Sequence, residues 1–158
     1  TSHATKSKAK FEIMDGDDKV LPHVFEISMG IDRSLYTILE HSLKDDKEHE
    51  RVVLSLKPYL SPIHVGILSL VKKDGLKEKT DEIHLNIKRK FDAFLDHSGA
   101  IGRRYRRLDE IGAPFAITVD HQTLEDDTVT IRKRDSMEQS RIKISEIDSV
   151  LSDSVGFP

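Results

Sequence analysis

Apolar positions follow two different patterns along this chain, and the change falls at Pro58 and Pro62. Before the prolines the apolar residues are sparse. Phe11, Ile13 and Met14 stand isolated in polar surroundings, and Asp15-Gly16-Asp17-Asp18 reads as a turn. Residues 24–28 (VFEIS) predict a short strand. Ile31, Leu35, Ile38, Leu39 and Ser42 then share one face of a helix. Residues 44–50 (KDDKEHE) contain no apolar side chain and are expected to be solvated.

After the prolines the pattern is that of a compact core. Residues 63–71 (IHVGILSLV) are almost continuously apolar, as in a strand covered on both faces, and Lys73-Asp74-Gly75 ends the run. Leu76, Thr80, Ile83, Ile87 and Lys90 mark a helix. Residues 91–95 form a second strand. Ser98 caps a helix that stops at Gly112, with Pro114 just beyond. Residues 115–119 are a third strand; 128–134 and 141–144 are a fourth and fifth, joined by a turn over 135–138. Ser145 caps a last helix carrying Ile147, Val150 and Leu151. Strands separated by helices should run parallel, and the final pair antiparallel through its short turn. The expected fold is α/β: a three-layer domain over residues 58–158, with a mixed sheet of about five strands and about three helices. A separate strand-and-helix segment occupies 1–57.

Length and composition narrow the function. A chain of 158 residues suits one compact domain with an appendage. The absence of cysteine removes disulfides and thiolate chemistry, and it suits a reducing compartment. No apolar run is long enough to span a membrane. The first ten residues have no signal-peptide core, and the lack of an initial Met reads as a processed or excised piece. Eight histidines are scattered without the helical spacing of a zinc site, so no metal is expected. Asp96-His97-Ser98 has the residue types of a hydrolytic triad, but adjacency does not give triad geometry, and it reads as a strand end and a helix cap. There is no P-loop and no dinucleotide fingerprint.

The net charge of −3 argues against a nucleic-acid partner, but the positions of the charges argue for one. The acidic stretches 15–18 and 44–50 dilute a basic surface elsewhere. The helix over 101–111 (IGRRYRRLDEI) carries four arginines. Ile101, Tyr105 and Leu108 form its apolar stripe, Arg103, Arg106 and Glu110 point the opposite way, and Arg104 and Asp109 flank the stripe. Arg106 and Glu110 are spaced to pair. The helix start at 98–102 offers backbone N–H groups to a phosphate. Alternation in the last two strands puts Arg132 and Arg134 on the face opposite Val129 and Ile131, and Arg141 and Lys143 opposite Ile142 and Ile144. All four are expected on one outer, RNA-gripping surface.

Two stretches together resemble the glycyl-tRNA synthetases of the archaeal and eukaryotic type. Pro22-His-Val-Phe-Glu-Ile-Ser-Met-Gly-Ile-Asp-Arg33 looks like the third signature motif of class II synthetases. The run from Ser98 to Asp120, continuing through Thr128 to Ser136, looks like the C-terminal anticodon-binding domain of that family. The resemblance implies that residues 1–57 are the tail of a catalytic domain and 58–158 an anticodon-binding domain. Arg33, with Gly30, would hold ATP phosphates, and Glu26 and Ser28 would receive substrate glycine, Glu26 facing its ammonium. Ile27 stands where the family usually has Pro, and Met29 where Phe is usual. The tRNA-binding residues implied are Arg103, Arg104, Arg107, Arg132, Arg134, Arg141 and Lys143. The parent would be a cytoplasmic, homodimeric ligase using ATP and magnesium to join glycine to its tRNA, whose anticodon stem-loop is the partner here. The first two class motifs are absent, so this piece alone is expected not to aminoacylate and to hold no cofactor. The other reading is a non-catalytic accessory or interaction protein with a synthetase-like fold.

Overall fold

A computed structural model describes residues 2–23, 25–71 and 75–156, with side chains from residue 5 onward. The chain forms two compact units, Thr1–Ser34 and Leu35–Pro158. The boundary expected between 57 and 58 falls inside the second.

The first unit begins with a short helix, α1 (Ser2–Ser7), and a two-stranded hairpin, β1 (Ile13–Asp15) with β2 (Asp18–Val20). The turn read at residues 15–18 closes this hairpin, with Gly16 at φ 63 supplying the left-handed conformation. The strand expected over 24–28 does not form in residues 25–28, and Val24 lies outside the described residues. A strand needs a neighbour to take its backbone groups, and no strand among the described residues pairs with this one. Phe25, Ile27 and Met29 are 88%, 78% and 79% exposed. Helix α2 (Ile31–Ser42) follows as the periodicity predicts, and the boundary between the units passes through it.

The second unit opens with a hairpin the sequence did not announce, β3 (Leu43–Asp46) against β4 (Arg51–Leu54). The charged run over 44–50 is largely exposed, as expected, but its first half is also a strand. Leu43 pairs with Leu54, and Lys44 with the buried Val53. A 3-10 turn, Pro58–Leu60, leads to β5 (Val65–Ser69). Then come α3 (Leu76–Ile87), β6 (Ala93–Asp96), α4 (Ile101–Glu110), β7 (Phe115–Val119), α5 (His121–Asp126), β8 (Thr128–Lys133) and β9 (Gln139–Lys143). A second 3-10 turn, Ile144–Glu146, runs into α6 (Ile147–Val155). Lys73 and Asp74, read as the stop after the first strand, lie outside the described residues.

The sheet order is β6-β5-β7-β8-β9. The first three strands are parallel and the last two antiparallel, as the element order predicts. Helices α3 and α6 cover one face through Leu76, Ile83, Ile87, Ile147 and Leu151, which pack on Val65, Ile67, Ile117, Val129 and Ile131. Helix α4 covers the other through Leu108, which packs with Leu68 and Ala116. Gly66 makes that approach possible: a Cβ there would lie 2.2 Å from Leu108 Cδ1. The short α5 was not foreseen, although its signal is present: Asp120 accepts from the Thr123 amide and Thr123 Oγ1 accepts from the Asp120 amide, a reciprocal cap.

Candidate nucleic-acid interface

The four arginines of α4 divide between the fold and the surface. Arg104 turns inward and is 3% exposed. Its Nε and Nη2 donate to the Gly99 carbonyl at 3.1 and 2.7 Å, and its Nη1 donates to the Ser69 carbonyl at the end of β5. Arg107 leans toward β6, where Nε donates to Asp96 Oδ2 at 2.9 Å and Nη2 to the Ser98 carbonyl at 2.6 Å. Burial pushes the Asp96 carboxyl up, but the Ser98 amide and the Arg107 guanidinium outweigh it and hold the group below its ordinary value. Arg103 and Arg106 point outward and are exposed. Among the described residues neither guanidinium has a hydrogen-bond or ion-pair partner, and Arg106 and Glu110, although spaced to pair, do not.

The other flank of α4 is closed. Tyr105 Oη lies 2.6 Å from Thr118 Oγ1. Asp109, 1% exposed, accepts from Arg132 Nη1 and Nη2 at 2.9 and 3.1 Å, and from Arg51 Nη1 of β4 at 2.9 Å. The Arg132 Cζ also sits 5.0 Å from the Tyr105 ring centroid, within cation–π range. Arg134 is 2% exposed and donates to the carbonyls of Leu54, Leu56 and Gly112 at 3.1, 2.7 and 2.8 Å, and to Asp135.

The outer arginine surface expected on the last two strands therefore does not form as read. Alternation puts Arg132 and Arg134 opposite Val129 and Ile131, but that face runs beneath α4 and the β3–β4 hairpin. Burial then demands counter-charge and acceptors, which Asp109, Asp135 and the carbonyls supply. Arg141 is only partly exposed: its Nη2 donates to Asp120 Oδ1 at 2.9 Å and its Nε to Thr128 Oγ1 at 2.6 Å. The Arg141 hydrogen bond is the main reason the Asp120 carboxyl sits below its ordinary value. Lys143 is exposed at the end of β9.

Glu26, Ser28, Gly30 and Arg33 lie together in the first unit, in the segment that enters α2, and all four are exposed. The Gly30 carbonyl accepts from the amide and hydroxyl of Ser34, each at 3.0 Å, which fixes the first turn of α2.

Two clusters escaped the sequence. One is the pairing of Arg51 and Arg132 on Asp109; spacing along the chain gives no hint of a partner 58 residues away. The other sits at the carboxyl ends of β5 and β6. His97 Nδ1 is 3.0 Å from Ser69 Oγ, and His97 Nε2 is 2.9 Å from Asp81 Oδ1 of α3. This has the connectivity of a hydrolytic triad with only one of the residues that Asp96-His97-Ser98 offered. Ser69 is 0% exposed and its carbonyl is occupied by Arg104, so no substrate reaches it. The cluster is a clamp joining α3 to the two strand ends. Among the described residues no three His, Asp or Glu side chains gather as a metal site.

Known proteins share this architecture. Residues 64–154 match the family model of the anticodon binding domain. The glycine–tRNA ligase of Methanothermobacter thermautotrophicus is 53% identical over 130 residues, which are 82% of this chain and 23% of that protein. That of Archaeoglobus fulgidus is 50% identical over 139 residues, 85% of this chain and 24% of that protein. The chain thus spans about a quarter of the length of these curated relatives. Among solved structures, the RNA binding domain of threonyl-tRNA synthetase from Cryptosporidium parvum Iowa II superposes with a TM-score of 0.60 at 23% identity, over 66% of this chain and 26% of that one. Prolyl-tRNA synthetase from the same organism gives 0.58 at 24% identity, over 65% of this chain and 23% of that one. The two structures speak to the fold alone. With the family model covering most of the five-stranded unit, and with half-identical relatives along most of the sequence, the chain belongs to the anticodon-binding domain family, in the form carried by glycine–tRNA ligases.

Proposed function

We propose that this chain binds the anticodon stem-loop of glycine tRNA, as part of a ligase that activates glycine with ATP and transfers it to the tRNA 3′ end. The observation that carries this reading is the state of Arg103 and Arg106. Two guanidiniums stand on the exposed face of one helix, neither paired with an acid among the described residues, while Arg104 is buried on backbone carbonyls and Arg107 is bound to Asp96. A polyanion is the partner that such a face suits. Glu26, Ser28, Gly30 and Arg33 fit the glycine and ATP site of the parent: a carboxylate for the ammonium, a small polar lining and a bidentate guanidinium for phosphate. In this reading residues 1–57 end the catalytic domain, and the rest of the site, with its magnesium, belongs to a dimeric parent in the cytoplasm. The piece alone does not aminoacylate.

The test is equilibrium binding of glycine tRNA and of anticodon-substituted versions over a salt series. The substituted tRNAs are expected to bind more weakly. Arg103→Ala is expected to weaken every tRNA alike and to lower the slope of log K against log salt by about one. Equal binding of native and substituted anticodons would remove the anticodon from the account.

A further inference from the structure

The two flanks of α4 differ in what they leave open. On the β8 side Tyr105, Asp109, Arg132 and Arg51 satisfy one another. On the β6 side Arg107, with a side chain 41% exposed, gives Nε and Nη2 to Asp96 and Ser98, and Arg103, one turn before it on α4, has no partner among the described residues. Among the described residues strand β6 is also an edge of the sheet, with β5 its only neighbour. Phe94 pairs with Gly66, and Gly66 faces Leu108 of α4, so the Phe94 ring lies on the α4 face of that edge, 39% exposed. The Asp92 carbonyl faces β5, where it accepts from the His64 amide at 2.8 Å. By alternation the backbone groups of Ala93 and Leu95 face away from the sheet. Of these the Ala93 carbonyl is 3.4 Å from His84 Nε2.

We propose that the β6 edge is where an unpaired stretch of the RNA lies. A base stacks on the Phe94 ring, Arg103 and Arg107 hold the flanking phosphates, and the outward backbone groups of Leu95 meet base edges. The proposal rests on the tRNA-binding reading and adds a place and a mode to it. Single-stranded RNA is held by this combination: a sequence-tolerant aromatic platform beside cations, with polar groups that read the splayed base. Arg107 already has Asp96 as its counter-charge, so Arg103 is the uncompensated cation of this flank, and it favours a nucleic acid over a peptide strand adding to the same edge.

The chain has no tryptophan, which gives the experiment its probe. Phe94→Trp keeps a stacking ring and makes it the only indole in the protein. Its emission is expected to be quenched as glycine tRNA is added, and the quenching to saturate. Phe94→Leu keeps an apolar side chain and removes the ring. It is expected to lose about 5- to 100-fold in affinity, with the salt slope unchanged, in contrast to Arg103→Ala. Equal thermal midpoints for Phe94→Leu and wild type establish that the loss is not unfolding. Wild-type affinity in Phe94→Leu, or indifferent Phe94→Trp emission at saturating tRNA, overturns the β6 edge while leaving the anticodon reading in place; a peptide strand on the edge would give that result. If wild type itself binds no tRNA, the anticodon reading fails and the β6 proposal goes with it.

Discussion

Asp109 holds two guanidiniums on one carboxylate, and all three side chains are almost fully withdrawn from water, at 2%, 7% and 8% exposure. Such a group is costly to desolvate and far costlier to break, because removing the anion strands the cations. Asp109→Asn preserves shape and removes the charge that Arg51 and Arg132 share. It is expected to cost about 3–5 kcal/mol in urea unfolding, and a loss below about 1 kcal/mol would mean that water enters to solvate the arginines. The same residues show how far the sequence could be read. Period-two alternation correctly separates Arg132 from Val129 and Ile131. It says which side a residue takes and nothing about what lies over that side. Arg132 and Arg134 were therefore read as a surface, when α4 and the β3–β4 hairpin lie on them. In contrast, Arg103 and Arg106 were legible as outward-facing, because helical periodicity within a single element settles that question.

At the scale of elements, the close approach of α4 to β5 depends on one missing side chain. Gly66 leaves room for Leu108, whose Cδ1 and Cδ2 would both lie within 2.3 Å of an added Cβ. Leu108 is buried at 1% and has little freedom to yield. Gly66→Ala is expected to destabilise by about 1–3 kcal/mol in urea unfolding. A variant as stable as wild type would show that α4 can ride away from the sheet. Elements with a continuous apolar signal, such as β5 and β7, were found where the sequence put them. The β3–β4 hairpin was missed because its charged residues hide the alternation, and its apolar partner Val53 sits on the other strand. Helix α5, at six residues, is too short to show a period. The strand read at 24–28 failed for the opposite reason: its pattern is strand-like, but among the described residues no strand pairs with it.

For the molecule as a whole, much of the acid serves the fold. Hydrogen bonds from Arg51 and His49 bring the Asp46 carboxyl down to about 2. Asp81, Asp120, Asp126 and Asp135 are also held below their ordinary values, chiefly by hydrogen bonds from His97, Arg141, Thr128 and Arg134 respectively. Carboxyls lowered in the folded state bind protons later than they do in the unfolded chain. Their contribution is therefore complete above the unfolded value and disappears as pH falls through the folded one. The thermal midpoint is expected to be level between about pH 5 and 7 and to drop steadily below about pH 4; a midpoint that rises from pH 5 to pH 3 would contradict this. The whole-chain charge of −3 hid this division of labour, in which acids answer the buried arginines while Arg103 and Arg106 stay unpaired among the described residues. The grip of Arg134 on the Leu54 and Leu56 carbonyls bears on modularity as well. The family match starts at residue 64, yet two acceptors of this buried guanidinium, the Leu54 and Leu56 carbonyls, lie upstream of it. A graft of the matched segment alone would carry the cation with Gly112 and Asp135 and leave those two carbonyls behind. In recombination between proteins, the sheet and the preceding hairpin form one inheritable part.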